Sequence, residues 1–240
     1  PVGLPEARET AAKELVAALA ARDDWRDADL GGSPRNGDWL RALLKAAGDA
    51  GLEAAVADDG AAPFLDLPPT YEEYLTKLPA KLRHELRRKE RRFAAALAGA
   101  RLVDATPETV TEDLTRFTEL HRTSPGPKGK FMVPGMELFF RRLAQAMVGD
   151  GTFRLAYLES EGDMVAAAVG FRWRDRFLLY NSAFDHGWAE LSPGIVMVTR
   201  LIRSAIEERL QGFDLLKGDL PYKLRFGARP RRLARLRLRR

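Results

Sequence analysis

The stretch Phe177-Leu178-Leu179-Tyr180-Asn181-Ser182, with Leu191-Ser192-Pro193-Gly194 after it and the run 195–210 beyond, decides the fold. The first six residues are an apolar run long enough for a buried strand. In the second run Ile195, Val198, Leu201, Ile202, Ala205 and Ile206 share one helical stripe, and Arg200, Arg203, Glu207 and Glu208 lie off it. Gln211-Gly212 ends that helix, and Phe213-Asp214-Leu215-Leu216 reads as a second strand. A polar cluster follows, Lys217-Gly218-Asp219-Leu220-Pro221-Tyr222-Lys223. The unit is strand, loop, helix, strand. Ser192 suits an N-cap and Pro193 a first helical position. The unpaired N–H groups of such a terminus, together with the helix dipole, offer a seat for a phosphate. On spacing alone, a plain capped core helix is the commoner outcome.

Working upstream, the spacing predicts a three-strand meander. Residues 153–159 form its first strand, Ser160-Glu161-Gly162-Asp163 a turn, and 164–173 a longer strand that turns at Arg174-Asp175 into the opening stretch. Gly170 inside the long strand marks a bulge or a close backbone approach. Before the meander come two helices. One carries Val110, Leu114 and Phe117 inward and ends at Glu119-Leu120-His121; the other carries Met136, Phe139, Phe140, Leu143 and Met147. The loop between them, 123–134, is rich in Gly, Pro and Lys and reads as a lid or a plain surface loop. Further upstream, Thr70 caps a short helix. A strongly basic helix follows, Lys81-Leu82-Arg83-His84-Glu85-Leu86-Arg87-Arg88-Lys89-Glu90-Arg91-Arg92, packed by one leucine stripe. Its outer faces are either solvated or anion-binding, and no aromatic side chains are interleaved for base stacking.

Residues 1–62 read as helix 6–21, a short strand at 25–30, a loop at Gly31-Gly32-Ser33-Pro34, and a helix 38–50. A strand at 52–57, a turn at Asp58-Asp59-Gly60 and a strand around 64–67 complete the pattern. Charge separates this segment from the rest. It holds 7 basic and 12 acidic side chains, whereas the last sixteen residues hold 8 Arg and no acid. A basic patch attracts nucleic acid, acidic lipid or a polyphosphate, and charge alone does not choose among them.

The composition narrows the chemistry. With no cysteine there is no disulfide framework, thiolate nucleophile or cysteine zinc site, and three scattered histidines predict no metal centre. No run of apolar residues is long enough to span a bilayer. The expected compartment is the reducing cytoplasm.

The order of elements resembles the GNAT acyltransferase fold. Lys81-Leu82-Arg83 with Glu85 through Arg91, Phe117 with Glu119-Leu120-His121, Ser192-Pro193-Gly194, Phe213 through Asp219, and Pro221-Tyr222-Lys223 occur in sequence. That set is similar to the branch labelled CelD or BioF2-like, related to FemAB-type peptidyltransferases with two GNAT halves. The resemblance implies an α+β fold, with a central, mostly antiparallel twisted sheet flanked by helices. It implies a GNAT-like domain at 63–240, preceded at 1–62 by the C-terminal remnant of a first half, so that an N-terminal half is missing. The implied reaction moves an acyl group, acetyl above all, from acyl-CoA as co-substrate to the primary amine of a small molecule or saccharide precursor. Two alternatives are a transferase that uses aminoacyl-tRNA and an adaptor that has lost catalysis. Implied base candidates are Glu119, His121 and Asp214, with Tyr222 as acid for the leaving thiolate. The co-substrate would meet Ser182, Ser192, Pro193, Gly194, Ile195, Lys217 and Lys223. The chain departs from the usual Gln/Arg-x-x-Gly-x-Gly/Ala loop, having Trp188-Ala189-Glu190-Leu191-Ser192-Pro193-Gly194-Ile195 there. Fewer glycines leave fewer backbone amides able to approach a phosphate.

Overall fold

The structure is a computed structural model and describes residues 7–218 and 221–240. The chain divides into two compact units. Among the described residues, the first comprises 7–63, 217–218 and 229–240, and the second comprises 64–216 and 221–228.

In the first unit, helices α1 (Arg8–Ala20) and α2 (Asp38–Asp49) pack through Ala12, Val16, Leu40, Leu43 and Ala47. They cover strand β1 (Asp27–Pro34) and the last strand of the chain, β8 (Arg229–Arg239), which contributes Ala234, Leu236 and Leu238. These two strands pair antiparallel from Asp27 opposite Arg239 to Pro34 opposite Leu233, with a register shift between Leu30 and Ser33. Gly31-Gly32-Ser33-Pro34, expected as a loop, is therefore the bulged end of a strand. Its partner lies two hundred residues away, which no local signal reveals.

A second local reading also fails here. Asp58-Asp59-Gly60 makes no turn, and a single strand, β2 (Glu53–Asp66), runs through it. Asp59 is buried, and its carboxylate accepts from Lys217 Nζ at 2.6 Å, Gly32 N at 2.8 Å and Arg235 Nη2 at 3.0 Å. The salt bridge to Lys217, first of these, holds the carboxyl well below its ordinary range. The basic tail meets the acidic segment in the same way, with Arg235 on Asp29 and Arg239 on Asp27, each at 2.9 Å. Arg235, Arg237 and Arg239 of the basic tail thus pair with the acidic segment within one unit.

The second unit holds a mostly antiparallel sheet. Its strand order is the end of β2, then β7 (Gly212–Asp214), β6 (Arg176–Phe184), β5 (Asp163–Trp173), β4 (Phe153–Ser160) and β3 (Arg101–Asp104). One face carries α3 (Tyr71–Lys77), the basic helix α4 (Ala80–Ala96) and α7 (Pro193–Glu207) over Leu86, Phe93, Val165, Ala168, Phe177, Leu201 and Phe213. The other carries α5 (Val110–Arg122) and α6 (Pro134–Met147) over Leu114, Phe117, Phe140, Leu155, Ala167 and Val169. Strand β5 is buried on both faces, which explains its uninterrupted small apolar run Val165-Ala166-Ala167-Ala168-Val169. The α+β class and the mostly antiparallel sheet flanked by helices agree with the sequence reading. Among the described residues, no helix is long and apolar enough to cross a membrane.

Candidate active site

Two irregularities shape the site. Strand β6 pairs parallel with β7 only at Arg176, Phe177 and Leu178, opposite Gly212, Phe213 and Asp214. Beyond Leu178 it continues to Phe184 along β5 alone. The β5–β6 register jumps here, Val169 facing Asn181 and Gly170 facing Leu179, so Tyr180 is the extra residue of a bulge. Gly170 lies opposite because a Cβ there would stand 2.2 Å from Phe177 Cζ and 2.8 Å from the Leu178 carbonyl. A bulge breaks alternation and re-aims side chains. Tyr180 and Asn181, although consecutive, both turn toward the α5 and α6 side, Tyr180 against Phe140 and Asn181 against His121.

His121, in the last turn of α5, is fully buried between Phe117 and Phe131, each ring about 5.8 Å away. Its Nε2 lies 3.2 Å from Asn181 Oδ1. Burial, and then the nearby Lys128 charge, push its pKa below the ordinary value, and the Asn181 bond opposes them. The ring is therefore neutral near pH 7. Glu119 is exposed and sits two positions earlier, about 200° around the helix, so it does not share the face of His121.

Past the end of β7 the chain turns sharply at Leu216, whose φ is +54°. Asp214 Oδ1 accepts from Leu216 N at 2.8 Å, and Lys223 Nζ donates to Leu216 O at 3.0 Å. Both side chains are buried, so each holds this turn. Lys223 lies in the short helix α8 (Pro221–Leu224), beside Tyr222. Tyr222 is part-buried against Phe226, and burial raises its pKa, so its hydroxyl stays protonated at neutral pH. That hydroxyl makes no hydrogen bond among the described residues. Lys217 belongs to the first unit, where it is engaged by Asp59. Asp219 and Leu220 of the same cluster lie outside the described residues.

The start of α7 differs from a simple cap. Ser192 occupies the N-cap position with left-handed backbone, φ +57°, and its side chain caps nothing. Its Oγ instead accepts from Lys89 Nζ of the basic helix, at 2.8 Å. Pro193 has no N–H, and the N–H groups of Ile195 and Val196 turn back to the Ser192 carbonyl, at 3.0 and 3.2 Å. The N–H of Gly194 is what remains of the first turn. The Ser192 hydroxyl and a largely buried ammonium therefore meet two residues before that N–H in the chain, and the ammonium has N–H capacity beyond its bond to Ser192. Lys89 is one of seven Lys and Arg residues of α4, and nothing local separates it from its neighbours. Ser182, half-buried in β6, donates its backbone N–H to Asn181 Oδ1 at 2.8 Å. Nothing in the apolar run 177–182 marks Asn181 as a site residue.

Residues 80–224 match the family described as Acetyltransferase (GNAT) domain. No curated protein matches the chain. Among solved structures it resembles L-PGS from Bacillus licheniformis, at 14% identity and TM-score 0.68, over 99% of this chain and 74% of that one. FemX, at 12% identity and TM-score 0.66, is matched over 95% of this chain and 75% of its own. The C-terminal domain assigned to a lysylphosphatidylglycerol synthetase of Agrobacterium fabrum, at 16% identity and TM-score 0.67, is covered over 75% of its length by all of this chain. At such identities these likenesses speak for the fold. The family match spans well over half of the 240 residues, and the chain belongs to the acetyltransferase (GNAT) family.

Proposed function

We propose that the chain is an acyl-CoA-dependent N-acyltransferase. The observation that carries this reading is the parting of β6 from β7 after Leu178, with Gly194 at the start of α7 against Phe184 of β6 and Ser192 held by Lys89. The acyl arm would lie in the opening between the strands, and the pyrophosphate would rest on the Gly194 N–H, the Ser192 hydroxyl and the Lys89 ammonium. The acceptor's neutral amine attacks the thioester carbonyl, a C–N bond forms and the C–S bond breaks. The amine's proton passes to His121, which is neutral near pH 7, and Tyr222 protonates the departing thiolate. Acid–base assistance of this kind contributes about 10²–10⁴ in rate. Asp214 and Lys223 act by fixing the Leu216 turn beside Tyr222, and Glu119 takes no part. The acceptor is a primary amine of a small molecule or saccharide precursor. Residues 1–62 are the end of a first GNAT-like half, a reading supported by the likeness to proteins that carry two such halves. A screen of acyl-CoA donors against amine acceptors, read by thiol release, tests the reading. Release that depends on both partners supports it, and no release with any pair contradicts it.

One observation favours a second donor. Lys81, Arg87, Arg88 and Arg91 are exposed on α4 and make no ion pair among the described residues. Such a face suits a polyanion, and FemX and L-PGS share the fold. An aminoacyl-tRNA donor is the alternative, and tight tRNA binding with a steep salt dependence would support it.

A further inference from the structure

His121 Nδ1 is a buried polar atom with no hydrogen-bond partner among the described residues, and the arrangement around the ring determines which proton it lacks. Asn181 Oδ1 accepts from the Ser182 backbone N–H at 2.8 Å. A backbone N–H can only donate, so the atom facing it must be the amide oxygen rather than the amide nitrogen. The same oxygen faces His121 Nε2 at 3.2 Å. An amide oxygen can only accept, so Nε2 carries the proton of the neutral ring. Nδ1 is then a buried lone pair on a ring flanked by Phe117 and Phe131. Buried polar atoms in folded proteins are nearly always paired, and one left without a partner calls for a donor from outside the fold.

We propose that Asn181 is a positioning residue that fixes His121 as its Nε2–H tautomer, so that Nδ1 is the atom that receives the proton of the acyl acceptor's N–H group. This rests on the acyl-transfer reading above and extends it to one atom and one new residue. The bulge at Tyr180 is what makes the arrangement available, because it turns Asn181 to the same side as Tyr180 and toward α5. Lys128 is the charged group that acts on the ring, and it disfavours a second proton there. Asn181 is uncharged. It therefore orients the ring without drawing a proton onto it, as a carboxylate in its place would.

The test combines ring nitrogen NMR with kinetics. In the wild-type chain labelled with ¹⁵N-histidine, the His121 signal, assigned by its loss in His121→Gln, is expected to show a protonated Nε2 and an unprotonated Nδ1. Asn181→Leu should scramble that pattern and lower kcat/KM for acyl transfer about 10²-fold, the lower end of what a general base supplies. Asn181→Asp keeps the acceptor oxygen and should preserve the tautomer while moving the acidic limb of the pH–rate profile upward, because a carboxylate favours imidazolium. A merely structural Asn181 would leave that limb in place. A wild-type ring protonated at Nδ1, or an Asn181→Leu variant with unchanged ring pattern and kcat/KM, overturns the proposal. The ring pattern is read without substrate. A chain that transfers no acyl group would overturn the function proposed above, and the NMR arm would still decide the tautomer.

Discussion

Lys89 Nζ and Ser192 Oγ are 2.8 Å apart and 103 positions apart in the chain. The bond joins the basic helix α4 to the start of α7 and places a largely buried ammonium beside the N-cap of that helix. Glu85 lies 3.7 Å from the same ammonium, so Lys89 is held from two sides. Lys89→Met keeps the aliphatic stem and removes the charge. Hydrogen bonds to charged groups contribute about 1.5–3 kcal/mol, so KM for the acyl donor should rise about tenfold or more with little change in kcat. Ser192→Ala should raise it less. Steady-state kinetics with varied acyl-CoA checks both, and an unchanged KM in Lys89→Met would remove that residue from the site.

Tyr222→Phe separates chemistry from folding. The hydroxyl makes no hydrogen bond among the described residues, so its loss should leave Tm almost unchanged. Turnover should fall about tenfold or more if the hydroxyl protonates the leaving thiolate. The loss should shrink for a donor whose leaving thiol has a low pKa, because such a thiolate departs without help. Equal losses with ordinary and activated donors would exclude the acid role.

Gly170→Ala tests the bulge. The new Cβ would stand 2.2 Å from Phe177 Cζ and 2.8 Å from a backbone oxygen, and the backbone cannot yield as a side-chain tip can. Overpacking of this kind costs about 1–3 kcal/mol, so thermal unfolding should shift down by several degrees. A variant as stable as wild type would show that the β5–β6 register is looser than described.

The pH dependence of the first unit should follow Asp59. Its folded pKa lies far below the ordinary value of about 3.9, chiefly through Lys217, then through the Gly32 amide and Arg235. A depressed carboxylate contributes its full stabilisation above the unfolded pKa and loses it as pH falls toward the folded value. The Tm difference between wild type and Asp59→Asn should therefore be largest at neutral pH and shrink below about pH 4. His121 acts over a higher window. With its folded pKa below the ordinary value of about 6.5, it costs nothing above that pH and destabilises the fold progressively beneath it. Melts from pH 7 to pH 3 with both variants check the two windows.

Much of the second unit was legible because its signals are local. The stripe in α7, the meander turns and the leucine row of α4 each follow from spacing of three, four or two residues. Gly170 was legible as well, since a lone glycine in an apolar strand has few other reasons to be there. The first unit misled at Gly31–Pro34 and at Asp58-Asp59-Gly60, where turn-forming residues sit inside strands. In both places a distant partner decides the outcome, β8 for the first and Lys217 with Arg235 for the second. The candidate site divides in the same way. Ser192 could be picked out from its place before Pro193, and His121 came with the family resemblance. Lys89 and Asn181 could not, because their roles arise from contacts across 103 and 60 positions.

Calorimetric titration of the chain with acetyl-CoA decides whether this site takes an acyl-CoA. Saturable binding is expected at one site per chain, weakened in Lys89→Met and unaffected by removal of the exposed Glu119 side chain. No heat of binding up to millimolar acetyl-CoA would contradict it.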